Sequence, residues 1–343
     1  MIEIVKSLEK HPYTFMQLAH KEKFHSGVIA YALKEFPEML NSLMNDGKDY
    51  NTIEYKVLVE KESIDILIED SHKNAIAVIE VKFKSTMHIS TTKGKETSQL
   101  DKYKKKYKKS KPKFIYIYLF EEKAVQNEHP TWHFVSYSEI ISYLKPAYSN
   151  KSKKTDNQRV VGTWISYIET LIKLVEFITQ RGISSLKETS TSGVPIQSRI
   201  KDVKLGSIVD HYRFSLFLSK LKEKKLIPSN CQLSKIENTH GNGLLHFEFN
   251  NNPYNFGIQW QSGTLKLYMR SGHLKNSDRD ENLMRLSKKL FGEFDQKLNR
   301  DGKFRSISIL TEQSWDHYDD INNKVEIIGE CLNKIEVHLK ENK

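Results

Sequence analysis

Cysteine is almost absent from this chain, whose 343 residues include only Cys231 and Cys331. Two isolated cysteines provide neither a disulfide framework nor a thiolate metal site, so we expect both to be ordinary core residues. His129 and His133 have the spacing of a zinc-binding pair on a helix, but Pro130 and the strand-like residues around it argue against that helix. The sequence therefore does not predict a zinc site built from neighbouring ligands.

Long apolar runs are also missing. No stretch approaches the run of about 18 apolar residues that a membrane-spanning helix needs. Residues 1–10 carry charges where the apolar core of a secretory signal would lie. These absences predict a soluble, cytoplasmic protein that does not act at a membrane.

Positive charge, in contrast, is abundant. The chain has 54 lysines and arginines against 43 aspartates and glutamates, a formal net charge of +11. A polyanion gains affinity from lysine and arginine because binding releases its counterions. The composition therefore favours an anionic partner such as a nucleic acid.

The length of the chain predicts two domains, because it exceeds the usual size of one. Residues 145–158 contain Pro146, serines, asparagines and several lysines, a composition typical of a linker. We therefore predict a first domain at 1–148, a linker at 149–158 and a second domain at 159–343.

Hydrophobic periodicity predicts an α/β fold for the first domain. Its first expected element is a helix at 15–36, which Pro37 ends. Three strands follow, and after them a helix at 96–109 and a strand at 113–120. A strand at 132–137 and a helix at 138–144 complete the domain. The three strands are expected at 52–59, 64–69 and 75–83. For the second domain the pattern predicts an α+β fold with a meander of short antiparallel strands. Its helices are expected at 159–180, 205–224, 280–298 and 321–339.

Three charged residues interrupt the apolar strands of the first domain: Asp65, Glu80 and Lys82. Alternate side chains of a strand share a face, so Glu80 and Lys82 should point the same way, and Asp65 can lie beside them on the partner strand. Burying such charges is costly unless they are paired or bind a metal. Two carboxylates suit Mg²⁺, which prefers oxygen ligands. A neighbouring lysine can position the attacking water.

This arrangement, Asp65 followed by Glu80-Val81-Lys82, resembles the motif of the PD-(D/E)XK nuclease superfamily. The resemblance covers residues 15–144 and implies a restriction-endonuclease-like αβββαβ core with a mixed central sheet. It implies that Asp65, Glu80 and the Val81 carbonyl bind Mg²⁺, that Mn²⁺ substitutes for Mg²⁺, and that Lys82 is the catalytic lysine.

Two more positions resemble the same superfamily. Glu22 resembles the acid that many members carry on helix one, and Gln99 resembles the glutamine that some branches carry on the helix after the motif strand. Ile64 departs from the pattern, since it stands where the family name has proline. With Gln99 and the residues after it, the chain is most similar to branches found among bacterial defence and restriction-type nucleases.

The resemblance implies a metal-dependent endonuclease that hydrolyses DNA in bacterial restriction or anti-phage defence. Two alternatives stay open at this point: an RNA-directed nuclease of the toxin-like kind, and a non-catalytic nucleic-acid-binding module. Two kinds of protein partner are also open, a second copy of the chain and a partner protein of a defence system.

A lysine-rich run follows Gln99 and has two interpretations. Its lysines can hold a phosphate backbone while Tyr103 or Tyr107 stacks on a base, or they can form a solvated face with the tyrosines packed inward. The candidate contacts are Lys102, Lys104, Lys105, Lys106, Lys108 and Lys109.

Other polar and aromatic residues have structural roles as their favoured interpretation. His25 and Ser26 lie close to Glu22 in the sequence, but packing or helix capping is expected of them rather than contact with a scissile phosphate. In the second domain, Phe256, Trp260 and Tyr268 are expected to be core residues more readily than a base-stacking surface.

Overall fold

The chain is described from a computed structural model that covers residues 1–83, 89–92, 95–119, 126–127, 129–151, 154–181, 196–239, 242–251, 254–261, 264–270, 276–292, 298–301, 304–310 and 321–341. It divides into two compact units. The first comprises Met1–Gln180 and Ser198–Leu205, and the second comprises Arg181–Gln197 and Gly206–Lys343. Each unit contains its own sheet.

The first unit is mixed α/β. Its helices are α1 (Ile2–Glu9), α2 (Pro12–Phe15), α3 (Glu22–Glu35), α4 (Pro37–Met44), α5 (Gln99–Lys106), α6 (Tyr137–Asn150), α7 (Asp156–Arg181) and α8 (Ile196–Asp202), the last two running to or across its boundary. Its strands are β1 (Tyr55–Lys61), β2 (Ile64–Asp70), β3 (Ala75–Lys82), β4 (Ile89–Thr92), β5 (Lys95–Ser98), β6 (Lys113–Tyr118) and β7 (His133–Ser136).

Five of these strands form a mixed sheet in the order β1-β2-β3-β6-β7. The β1, β2 and β3 strands are antiparallel to one another, and β6 and β7 run parallel to β3. Strands β2 and β3 are nearly continuous apolar runs because both of their faces are covered. Leu67 and Val78 pack with Leu100 of α5 on one face. Helix α3 packs against β1, β2 and β3.

The helix predicted at 15–36 is wrong in its first third. Helix α3 begins at Glu22, and residues 16–21 form a turn in which Gln17 has a left-handed backbone with φ of 57°. Pro37 ends α3 as predicted but also begins α4, because proline fits the first turn of a helix.

The helix predicted at 96–109 also begins later, at Gln99. The Ser98 hydroxyl accepts a hydrogen bond from the Asp101 amide and caps the helix there. Residues before it form β5, which pairs with β4.

The predicted linker at 149–158 does not separate the two units. Helix α6 continues through Pro146 to Asn150, and α7 begins at Asp156 and belongs mainly to the first unit. Trp164 of α7 is fully buried and hydrogen-bonded to His25, a residue 139 positions earlier. This long-range contact ties α7 to the first unit, so the division falls later in the chain than predicted.

The second unit is an antiparallel sheet with helices, as predicted. Its sheet has the order β12-β13-β11-β10-β9-β8. The strands are β8 (Cys231–Thr239), β9 (Asn242–Asn251), β10 (Tyr254–Gln261), β11 (Thr264–Arg270), β12 (Leu298–Asp301) and β13 (Phe304–Leu310). The helices are α9 (Gly206–Glu223), α10 (Asn276–Phe291) and α11 (Ile321–Glu341).

One prediction for this unit needs correction. The helix predicted at 280–298 ends at Phe291, because Gly292 adopts a left-handed φ of 85° that favours a helix end. Leu298, at the end of that predicted helix, begins β12 instead.

The predicted core residues of this unit are buried. Phe256 and Trp260 are 1% exposed and pack in its hydrophobic core, and Tyr268 is fully buried. Cys331 is buried and Cys231 is partly buried, and no disulfide bond joins them. Among the helices that the structure describes, none combines the length and the apolar character that a membrane span requires.

Candidate active site

Asp65, Glu80 and Lys82 meet where β2 and β3 lie side by side. The antiparallel register pairs Ile66 with Ile79, so the next step along each strand brings Asp65 level with Glu80. The Val81 amide donates a hydrogen bond of 2.8 Å to Asp65 Oδ2. Lys82 Nζ lies 2.6 Å from Glu80 Oε1. The prediction that Glu80 and Lys82 share a face of the sheet is confirmed.

Glu80 is the most deeply buried charge of this group. Its side chain is 1% exposed, against 11% for Lys82. Within the described part of the chain, Glu80 Oε2 is a buried oxygen without a hydrogen-bond partner. Such an oxygen costs free energy unless a donor or a cation satisfies it. The carboxylate is thus held on one side by Lys82 and has its other oxygen available as a ligand.

Burial and charge perturb all three groups. Burial raises the pKa of Glu80 to about 7, although the Lys82 charge opposes that rise. Burial likewise raises the pKa of Asp65, against the Val81 amide and Lys82, which lower it. For Lys82, burial lowers the pKa, but attraction to Glu80 outweighs it and the net shift is upward. The lysine is therefore a cation at neutral pH, and ionising the two acids is disfavoured without a further positive charge.

Helix α3 brings Glu22 to the end of β3. Glu22 Oε1 accepts a hydrogen bond of 3.1 Å from the amide of Phe83, the residue that follows Lys82. The charge of Glu22 contributes to the raised pKa of both Asp65 and Glu80, which shows how close the three acids lie. The structure thus brings Glu22 to the predicted site.

His25, one turn along α3, is a packing residue as expected. It is fully buried, and its ring stacks on Phe83 with centroids 3.7 Å apart. Its Nδ1 accepts a hydrogen bond of 3.0 Å from the Trp164 indole, which can only donate. The proton therefore lies on Nε2, which is 3.0 Å from the Ala19 carbonyl. Ser26 is also buried, and its hydroxyl donates to the Lys23 carbonyl.

Gln99 reaches the site through Tyr103, one helical turn further along α5. The Gln99 amide donates a hydrogen bond of 2.6 Å to the Tyr103 hydroxyl, which in turn donates to the Ser63 carbonyl. Burial and then the charge of Glu80 raise the pKa of Tyr103, which places this hydroxyl beside the acid.

The sequence pattern does not indicate Tyr103 as a neighbour of the acids. The interpretation that it stacks on a base is wrong, because its side chain is only 5% exposed. The available signal is its position four residues after Gln99, since such pairs share a helix face. Tyr107 is half-buried, and its hydroxyl donates to Glu62.

The lysine-rich run combines features of both interpretations. Its tyrosines pack inward, whereas all six candidate lysines are exposed: Lys102, Lys104, Lys105, Lys106, Lys108 and Lys109. Lys106 forms an ion pair with Glu62. The exposed lysines therefore retain the geometry of a phosphate-binding face, without any feature that reads bases.

The donor set of the site fits a hard divalent cation. Asp65 and Glu80 provide carboxylate oxygens on neighbouring strands, and the unpartnered Glu80 oxygen is the kind of ligand that Mg²⁺ or Mn²⁺ takes. Comparison of the chain with protein-family models, with curated proteins and with solved structures found no match in any of the three.

Proposed function

We propose that this chain is a Mg²⁺-dependent endonuclease that hydrolyses the phosphodiester bonds of DNA in bacterial restriction or anti-phage defence. The observation that carries the proposal is the buried Glu80–Lys82 pair beside Asp65, with one Glu80 oxygen left for a cation. Helices and strands in the order α3, β1-β2-β3, α5, β6 support a restriction-endonuclease-like core around it. The choice of DNA and of a defence role comes from the resemblance of the motif.

Asp65, Glu80 and the Val81 carbonyl would hold the metal in this proposal. When bound, the ion would polarise the phosphate and favour ionisation of a water molecule. The chain's own residues prepare the site for it. The Val81 amide fixes the orientation of Asp65, and Lys82 holds one oxygen of Glu80, so both carboxylates are oriented in advance.

The proposed role of Lys82 is to stabilise the attacking water and the phosphate. Its ammonium group remains charged at neutral pH and lies at the edge of the buried acids, with 11% of its side chain exposed. From there it can donate hydrogen bonds to an attacking water or to the oxygens of the phosphate, on which negative charge increases during hydrolysis. Tyr103, whose hydroxyl is fixed by Gln99, is buried beside Glu80.

A digestion panel tests this proposal directly. Plasmid, linear duplex, single-stranded DNA and structured RNA would be incubated with Mg²⁺, with Mn²⁺ and with EDTA. We expect cleavage of DNA with either metal, none in EDTA, and losses of at least about 100-fold in Asp65→Asn, Glu80→Gln and Lys82→Ala.

A matched control comes from the neighbouring ion pair Lys61–Glu69, which has the same 2.6 Å separation but lies outside the site. Lys61→Ala should cleave as the wild type does. If RNA is cleaved and DNA is not, the protein is the RNA-directed nuclease of the first alternative. If Lys82→Ala cleaves as fast as the wild type, the proposed active site is wrong.

Thermal stability provides a readout that needs no substrate. A ligand that binds only the folded state raises its stability, by about 2.7 kcal/mol at a hundred times its Kd. Mg²⁺ should therefore raise the Tm of the wild type and of Lys61→Ala but not that of Asp65→Asn. A protein that neither cuts any polymer nor responds to Mg²⁺ would leave only the non-catalytic alternative.

A further inference from the structure

Two consecutive apolar side chains, Phe15 and Met16, protrude from the first unit. They are 89% and 51% exposed and are the most exposed large hydrophobic residues in the described part of the chain. The other exposed ones occur singly, which is normal for a protein surface. An adjacent pair gains nothing for folding from such exposure, so a role in binding is the better explanation.

The end of α2 and the turn that follows it carry this pair and are firmly anchored. The Tyr13 carbonyl accepts hydrogen bonds from the amides of Leu18 and Ala19, at 2.8 and 3.1 Å. The buried Tyr13 hydroxyl donates to the Val160 carbonyl at 2.6 Å. Between these anchors Gln17 holds a left-handed φ of 57°, a conformation that costs a non-glycine residue free energy. Fixed hydrogen bonds therefore present Phe15 and Met16 to the solvent.

The same turn is connected to the candidate active site through two buried side chains. The Ala19 carbonyl contacts His25 Nε2 at 3.0 Å, and His25 stacks on Phe83, which directly follows Lys82. Three residues lie between Phe15 and Ala19, so the two are four steps apart along the chain and at most about 14 Å from each other. The exposed pair is thus within the reach of a polymer bound at Lys82.

The charges around the pair indicate the kind of partner. Residues 10–21 contain Lys10 and Lys21 but no acidic residue. Lys204 Nζ adds a further cation, hydrogen-bonded to Gln17 at 2.7 Å. A second copy of the chain would oppose these cations with the same cations, which is unfavourable. A polynucleotide offers both a negative backbone and apolar base faces.

We propose that Phe15 and Met16 form an apolar wedge that stacks on the bases of the bound polynucleotide beside the phosphate to be cut. The wedge rests on the proposed nuclease function and adds to it a preference for bases that are already unstacked, or that unstack easily. Aromatic and methionine side chains serve other proteins in this way, at a few kcal/mol per unstacked step. Steps that unstack at low cost, such as those next to a mismatch or in single strands, should be the favoured targets.

Oligonucleotide binding without cleavage tests the wedge. Fluorescence anisotropy and the emission of a 2-aminopurine base would be measured in EDTA, and again with Ca²⁺ in place of Mg²⁺. We expect Phe15→Ala to raise the Kd by about fivefold or more, which corresponds to the lower end of base–aromatic stacking energies. The same substitution should abolish the 2-aminopurine signal. Met16→Ala should act in the same direction. The control is Met284→Ala, a methionine 50% exposed in the second unit, which should bind as the wild type does.

The outcomes separate the wedge from the nuclease proposal. Cleavage that persists while Phe15→Ala binds normally overturns the wedge alone. Wedge-dependent binding without any cleavage supports the wedge and overturns the nuclease proposal. Failure of the wild type to bind any oligonucleotide overturns both. A dimer of the wild type that Phe15→Ala dissociates, seen by sedimentation, would assign the surface to a second copy and overturn the wedge.

Discussion

Replacing Glu80 by glutamine should stabilise the metal-free protein, increasingly so as the pH rises. The carboxyl is buried, with 1% of its side chain exposed. Burial raises its pKa from the ordinary 4.5 to about 7, against the attraction of Lys82. Glutamine has almost the same shape and no charge, so it avoids the cost of ionisation inside the fold.

The magnitude follows from proton linkage. The folded protein binds this proton more tightly than the unfolded chain does, so the stability that the protonated carboxyl contributes is fully present below pH 4.5 and lost as the pH rises through about 7. The pKa difference of about 2.5 corresponds to about 3 kcal/mol, at ~1.4 kcal/mol for each pKa unit. Glu80→Gln should therefore match the wild type near pH 4.5 and exceed its stability by about 3 kcal/mol at pH 8.

Hydrogen exchange in EDTA measures this difference within the sheet concerned. Peptides covering β6 are unchanged in sequence between the two proteins, so their intrinsic exchange rates cancel at each pH. The protection factor of these peptides in Glu80→Gln, divided by that in the wild type, should rise from about 1 near pH 4.5 to on the order of 100 at pH 8. A ratio that does not change with pH, or a less stable glutamine variant at pH 8, would refute the inference that ionised Glu80 destabilises the metal-free fold.

Further predictions concern the framework around the site and its lysine face. Gly257→Ala should destabilise the second unit by about 3 kcal/mol or more in urea unfolding, because a Cβ there would lie 1.8 Å from the Phe247 carbonyl oxygen. Gly27→Ala, on an open part of α3 with nothing within 4 Å of the added carbon, should instead stabilise by up to about 1 kcal/mol. His25→Leu should lower the free energy of unfolding in urea by about 1–3 kcal/mol, since it leaves the buried Trp164 indole without its acceptor. An unchanged urea midpoint would contradict the packing role of His25. Replacing Lys104, Lys105, Lys108 and Lys109 together by neutral residues should reduce the slope of log Kobs for DNA binding against log salt concentration. The expected reduction is about 0.9 for each phosphate that is no longer neutralised. An unchanged slope would show that this lysine face does not bind the DNA backbone.

The chemistry of the site is more predictable from the sequence than its surroundings. Glu80 and Lys82 conflict with an apolar strand, and the two-residue period of a strand places both on one face whatever the rest of the fold does. Asp65 follows from the hairpin that joins β2 to β3. Tyr103 is hard to interpret because the sequence around it is dominated by lysine, although its ring packs in the core beside Glu80.

The boundary between the units could not be predicted from composition. Pro146 and the polar residues around it are typical of a linker, yet helix α6 continues through them. What decides the boundary is the contact between Trp164 and His25, which lie 139 positions apart. Local sequence contains no signal for a pairing of that range, because each residue by itself is compatible with many partners.

Phe15 and Glu80 show why some functional residues are visible in a sequence and others are not. A charge in an apolar strand is recognisable before the fold is known, because burial of that strand follows from its composition. An apolar residue at the surface has no such signal, and Phe15 fits the helical spacing that predicts a helix at 15–36. Its 89% exposure becomes a conflict only after the turn at Gln17 is known. Candidate ligands of a metal can therefore be sought in sequence, whereas apolar contacts to a substrate must be sought in the folded surface.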